Sequence, residues 1–146
     1  MKTKVEAPDL NIKMDNNLVM ENVILKVTTC QTNPFKLIIE ALKEALKDIN
    51  INFIKPTDGV ADSGGMSIVA YNPRSAVLIK VKIPASSFDE FYINPPDGKN
   101  NIQVGVNMKS FNTIMKFARN QESTSLMLNE DDKNHLTFIF ENGESK

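Results

Sequence analysis

Cysteine is nearly absent from this sequence. Cys30 stands alone, so no internal disulfide can form, which fits a reducing compartment. Histidine is equally scarce, and His135 plus one cysteine is too small a donor set for a zinc site, so no metal or cofactor is expected. No apolar run approaches the ~20 residues that cross a bilayer. The opening "MKTKVEAPDLNIKMDNNLVMEN" has neither an apolar signal core nor a cleavage pattern, so neither secretion nor a membrane partner is expected. Charge of one sign is also missing. Seventeen Lys and Arg face eighteen Asp and Glu, a net charge of −1, so any nucleic-acid surface must come from local placement of cations.

Catalytic constellations are lacking as well. Asp89 and Glu90 are adjacent in a strand-like stretch and would point to opposite faces. Asp131 and Asp132 fall in a turn, where acidic residues serve the backbone. Ser86 and Ser87 have no neighbouring His, and His135 has no evident orienting carboxylate, so no nucleophile triad is in view. "DGVADSGG" lacks the alternating ligands and closing Glu of a calcium loop. No Gly-rich phosphate cradle ends in Lys-Ser or Lys-Thr. Cys30 reads as a small apolar residue rather than a reactive thiol. An enzyme is not expected.

What remains is the pattern of one ordinary globular domain in 146 residues, 41% of them hydrophobic. Residues 1–22 hold no period and read as a flexible extension, with a short docked segment around Leu18–Met20. Residues 23–142 form the domain, and 143–146 are a polar tail. "VILKVTT" (23–29) reads as a strand. Thr32 or Asn33 suits a helix N-cap and Pro34 the first helical position, with the helix running to about Asp48. "NINFIK" is a strand, residues 57–65 a loop, "MSIVA" a strand, "YNPR" a turn and "AVLIKVKI" a strand with one wet face. "FDEFYI" is a short strand, "NPPDGKNN" a loop and "IQVGVN" a strand. "MKSFNTIMKFARN" is the second helix. "STSLMLNE" and "HLTFIFEN" flank a hairpin at "DDKN". The fold class is α+β. Two β-α-β-β units, the second one strand short, each lay a helix apolar side down on one face of antiparallel sheet.

Both helices keep lysine on the outer face. On the first, Phe35, Ile38, Ile39, Leu42, Ala45, Leu46 and Ile49 make the apolar stripe. Lys36, Lys43 and Lys47 lie opposite, with Glu40 and Glu44 between them as possible helical ion partners. On the second, Met108, Phe111, Ile114, Met115 and Ala118 make the stripe. Lys109, Asn112, Thr113, Lys116 and Arg119 lie away from it, with no acid from Met108 to Asn120. Such a face suits phosphate contacts without base readout, and the absence of interleaved aromatics disfavours single-strand stacking.

In order, "PFKLIIEALKEAL", "SIVAYNPRSAVLIKVKI", "FDEF", "VGVNMKSFNTIMKFA" and "LTFIFE" resemble the first domain of the proliferating cell nuclear antigen family of DNA sliding clamps, over roughly residues 23–141. The most specific stretches are 104–118 and the "EALK" at 40–43. "ADSGG", "NPPDGK" and the first twenty-two residues look like additions of the kind seen in divergent viral or protist clamps. The resemblance implies a DNA polymerase processivity factor that helps to encircle duplex DNA. It implies partners in DNA polymerase and other client peptides, in a clamp loader, and in a homotrimeric ring of the full-length protein. It implies DNA-facing roles for Lys36, Lys43 and Lys116, with Lys109 and Arg119 as neighbours, and Thr113 stands where the family often has lysine. It implies a client-binding segment from Tyr71 through Asn72, Pro73, Arg74 and Ser75 to Ala76. Asn72 replaces the family's usual Asp, and Ser75 lies where a basic residue is usual. The family continues with a subunit-joining edge strand, a connector and a second domain, whereas this chain stops at Lys146. As given, it should not close a ring and should leave an open strand edge. Localisation would be nuclear, or cytoplasmic at a viral replication site. The alternative is a clamp-fold adaptor in replication or transcription that no longer encircles DNA. The DNA reading requires both helices to lie side by side with their cations on one surface.

Overall fold

The computed structural model describes residues 22–142. The extension predicted over residues 1–22 lies outside them apart from Asn22, as do the segment at Leu18–Met20 and the tail at 143–146.

The elements run β1 (Val23–Thr29), α1 (Thr32–Ala45), β2 (Asp48–Ile54), β3 (Gly65–Asn72), β4 (Val77–Pro84), β5 (Glu90–Ile93), β6 (Asn101–Asn107), α2 (Met108–Met115), β7 (Glu122–Asn129) and β8 (Asp132–Asn142). Short 3₁₀ turns at Ala85–Ser87 and Pro96–Gly98 flank β5. The antiparallel strands divide into two sheets, ordered β5-β1-β7-β8 and β4-β3-β2-β6. The leading strand of each repeat pairs in the other repeat's sheet. β1 joins β7 (Val27 opposite Leu126) and β6 joins β2 (Ile51 opposite Val104). The repeats are thereby interlocked, and neither sheet is local to one half of the sequence.

Alternation sets the register. Ile49, Ile51 and Phe53 of β2 point inward between the exposed Asp48 and Asn50, and Ile102, Val104 and Val106 of β6 do the same. A slip of one residue would turn each set to solvent. One apolar core joins both sheets to both helices. Phe111 is its pivot. Its ring lies 6.2 Å from Phe35 of α1 and 5.3 Å from Phe138 of β8, the latter edge-on at 84°. Gly65, at φ 130°, opens β3 where a Cβ would overlap the Ile83 carbonyl of β4.

Several boundaries differ from the expectation. α1 ends at Ala45, because Leu46 turns extended (φ −133°, ψ 149°) and Ile49, assigned to the helical stripe, is taken by β2 opposite Val106. The N-cap is Gln31, without a side-chain cap bond, so neither Thr32 nor Asn33 caps the helix. Thr32 is buried, and its hydroxyl donates to the Glu122 carbonyl and bonds the Thr124 hydroxyl, tying α1 to β7. α2 stops at Met115. The N–H groups of Phe117 and Ala118 bond carbonyls three residues back, tightening the chain before β7. Asn112 was expected outside but is buried. Tyr71 and Asn72 close β3, and the turn follows at 73–76. The β7–β8 turn is Glu130–Asp131, with Asp132 already in β8 opposite Asn129.

Candidate nucleic-acid and client-binding surfaces

α1 and α2 lie against one another, running antiparallel. Two tethers fix this. Near the start of α1, the Lys36 ammonium donates to the carbonyl of Ala118, just past α2, over 2.9 Å. Beyond the end of α1, the Lys47 carbonyl accepts the N–H of Met108, the first residue of α2, over 2.7 Å. The side-by-side arrangement that the DNA reading requires is therefore present, and the two ends of the pair are built differently.

The first end carries Lys36, Lys116 and Arg119. Lys36 is half-buried, with one of its donors committed to the fold. Lys116 is exposed at the C-cap of α2. Arg119 is exposed but lies beyond the helix, in the bend that leads into β7, where its N–H meets a Glu122 carboxylate oxygen at 2.8 Å. The periodicity had placed it on the helical face.

The second end carries Lys43, Lys47 and Lys109. With Leu46 and Asn107 they line one cavity of about 430 Å³. Lys43 is partly covered and lies 3.5 Å from the exposed Glu44 carboxylate. Asn107 caps α2 by accepting the Ser110 N–H, and its amide donates to Asp48. Lys47 was not among the DNA candidates. Its signal was legible, since it follows Lys43 by one helical turn on the outer face. Between the two ends, the Thr113 hydroxyl is turned back on the Lys109 carbonyl, 2.9 Å away.

The segment expected to bind clients, residues 71–76, divides. Tyr71, Asn72, Pro73 and Arg74 line an open groove of about 720 Å³ whose other wall includes Lys43, Glu44, Lys47, Asp48 and Val69. Ser75 and Ala76 lie outside that lining, at the tip of the turn. Asn72 serves the fold. Its amide donates to the Ala45 carbonyl at the end of α1 (2.9 Å), and its oxygen accepts the Arg74 N–H (3.0 Å). The sequence reading passed over the neighbours that make this surface apolar. Val69, Tyr71 and Leu78 are each 57–59% exposed, and Tyr71 stands directly opposite Leu78 in the β3–β4 ladder. The clue was an apolar residue on the face that Lys80 and Lys82 mark as wet.

The acidic neighbours expected to be structural have structural partners. Asp89 accepts the Cys30 N–H, Glu90 lies 3.3 Å from the Lys26 ammonium, and Asp132 lies 2.9 Å from His135 Nδ1.

Residues 24–146 match the family model described as proliferating cell nuclear antigen, N-terminal domain. The chain is 32% identical over 110 residues to the DNA polymerase sliding clamp of Thermococcus sibiricus, covering 74% of this chain and 41% of that protein. It is 22% identical over 148 residues to the probable DNA polymerase sliding clamp of Acanthamoeba polyphaga mimivirus, covering 82% of this chain and 31% of that one. A chain of the PCNA2-PCNA3 complex from Sulfolobus tokodaii superimposes with a TM-score of 0.65 at 21% identity, over 81% of this chain and 42% of that chain. The chain thus spans less than half the length of these relatives.

Proposed function

Because the chain belongs to the proliferating cell nuclear antigen family, we propose that it acts as a DNA sliding clamp domain, a non-enzymatic processivity factor for DNA polymerase. Residues 23–142 would be the clamp's first domain, preceded by an extension over residues 1–22. A second domain, a trimeric ring and a clamp loader would belong to the assembled protein. Its place of action would be wherever that DNA is replicated, a nucleus or a viral replication site.

The observation that carries this reading is the tethered antiparallel helix pair, with its apolar faces in the core and with Lys36, Lys43, Lys47, Lys109, Lys116 and Arg119 on or next to it. A clamp must slide, so it should touch phosphates weakly and without base readout. Each neutralised phosphate adds about 0.9 to the salt slope, so a few lysines give feeble binding at physiological salt. The net charge of −1 is compatible with this reading, because a local group of cations can act whatever the overall balance. The groove at Tyr71, with Val69 and Leu78 beside it, is the proposed seat of client peptides.

Charge reversal tests the reading. K109E/K116E/R119E, at three residues outside the groove lining, should abolish low-salt duplex binding and polymerase stimulation while leaving client-peptide binding to the Tyr71 groove intact. Unchanged stimulation would instead favour the adaptor, a clamp fold that docks proteins without holding DNA.

A further inference from the structure

We propose that Leu18, Val19 and Met20 fold back over the outer face of the β5-β1-β7-β8 sheet and cover Met127 and Ile139, so that the folded unit begins at Leu18 rather than at Val23. These three residues lie outside the described ones, and what points to them is the surface beside which the chain enters the sheet.

That surface is covered, and none of the described elements covers it. Leu126, Leu128, Leu136, Phe138 and Phe140 point inward to the core that both helices and the second sheet share, where Phe138 meets Phe111 of α2. Side chains alternate along a strand, so the residues between them point the other way. Register sets Lys26, Met127 and Thr137 in one row across the outer face, and Thr28, Ser125 and Ile139 in the next. A bulge between Val23 and Leu25 turns Val23 to the same side. Met127 is 2% exposed, Ile139 4% and Val23 5%, and together they make an apolar cluster separate from the main core. The other sheet shows what an open outer face looks like. Val69 also lies on an interior strand, β3, and it is 57% exposed. Flanking strands shield a side chain from the sides and not from above, so Met127 has a cover that Val69 lacks.

Continuity of the chain names the cover. Asn22 leads into β1 and is pinned beside the β7–β8 turn. Its carbonyl accepts the Glu130 N–H (2.7 Å), and its side-chain amide donates to Asp131 (2.9 Å). Its φ of 66° is left-handed, so the backbone changes direction there. Leu18, Val19 and Met20 are the only three consecutive apolar residues before it, and they lie two to four positions away. That is ~7–14 Å of extended chain. Met127 lies two residues along β7 from Asn129, the partner of Val23, which is about 7 Å. A chain reversed at Asn22 therefore brings this run over Val23, Met127 and Ile139. A polar atom points to the same cover. The Asn129 side-chain oxygen is buried opposite Val23, at the rim of the cluster, and has no hydrogen-bond partner. A buried acceptor is costly to leave empty, and a backbone N–H of the covering segment would fill it.

Methionine oxidation by dilute peroxide, read residue by residue with mass spectrometry, tests this. The samples are the wild-type chain, L18D/M20D and a chain lacking residues 1–21. Met66, Met108 and Met115, each at most 1% exposed in the main core, report whether the fold survives. In the wild-type chain Met127 should be as protected as these three. In both variants it should oxidise at least about tenfold faster while the other three stay protected. Continued protection of Met127 in the shortened chain would mean that the sheet buries it unaided, and would overturn the docking. A second measurement needs no variant and decides the matter should the variants fail to fold. Methyl NOEs from Leu18 or Met20 to Met127 or Ile139 should be present in the wild-type chain, and their absence would overturn the docking. Protection of Met127 that is lost on dilution, in step with a change from dimer to monomer, would assign the cover to a second copy of the chain and would overturn it as well.

Discussion

The two ends of the helix pair solve one problem with different atoms. Where α1 begins, a side chain closes the gap, as the Lys36 ammonium reaches the Ala118 carbonyl. Where α1 ends, the backbone closes it, as the Lys47 carbonyl takes the Met108 N–H. A side-chain tether uses up cationic donors, whereas a backbone tether leaves the nearby lysines free. The number of lysines on a helix face is therefore a poor measure of what that face offers a phosphate. Lys36, Lys43 and Lys109 look alike in sequence, but one braces the fold, one lies beside Glu44 and one has no ion partner among the described residues.

The strongest way to break this comparison is to remove what both ends depend on. Phe111 is fully buried between Phe35 of α1 and Phe138 of β8. Phe111→Ala should destabilise the domain by about 3–5 kcal/mol, the usual cost of emptying an aromatic core site. That is a large part of a typical stability of about 5–15 kcal/mol. A urea midpoint that falls accordingly, together with loss of duplex binding, supports the helix pair as one unit. A midpoint within about 0.5 kcal/mol of wild type would mean that the helices do not depend on this ring.

Much of this was legible in the sequence and some was not, for physical reasons. The core stripes were readable because 3.6-residue spacing at Phe35, Ile39 and Leu42 and twofold spacing at Ile51 and Phe53 have few other meanings. The end of α1 was not. Ile49 fits a helical stripe and an inward strand position equally, and only pairing with Val106, far along the chain, decides between them. The role of Thr32 was hidden in the same way, because its partners Glu122 and Thr124 are close only after folding. The crossing of the two repeats, and hence the split into two sheets, is a non-local choice that periodicity does not encode. At the candidate site, the cations were visible as a face, but their division into two ends depends on tethers between residues distant in sequence.

A smaller effect should appear at the junction of the two surfaces. Asn72 bonds the Ala45 carbonyl and the Arg74 N–H, so it holds the groove proposed for client peptides to the lysine-bearing end of α1. Asn72→Ala should cost about 1 kcal/mol, the net worth of a partly buried hydrogen bond. It should also weaken client-peptide binding more than duplex binding. Equal losses of both in titrations of the same preparation would show that Asn72 supports the fold generally and does not shape the groove.

The smallest effect separates the two ends most sharply. Lys36→Met keeps a long apolar stem and removes the donor to Ala118, so stability should fall by about 1 kcal/mol. The salt slope for duplex binding should hardly change, because this ammonium already serves the fold. Lys109→Met should do the reverse. It lies exposed with no ion partner among the described residues, so its loss should leave stability within about 0.5 kcal/mol of wild type. Its effect should fall instead on duplex affinity and on the salt slope, by up to about 0.9 for one phosphate contact. Stability and salt dependence would then move independently at the two ends. If Lys36→Met flattened the salt slope and Lys109→Met did not, the functional end of the helix pair would be the one that begins at α1, and the distinction between a bracing and a binding lysine would have to be reversed.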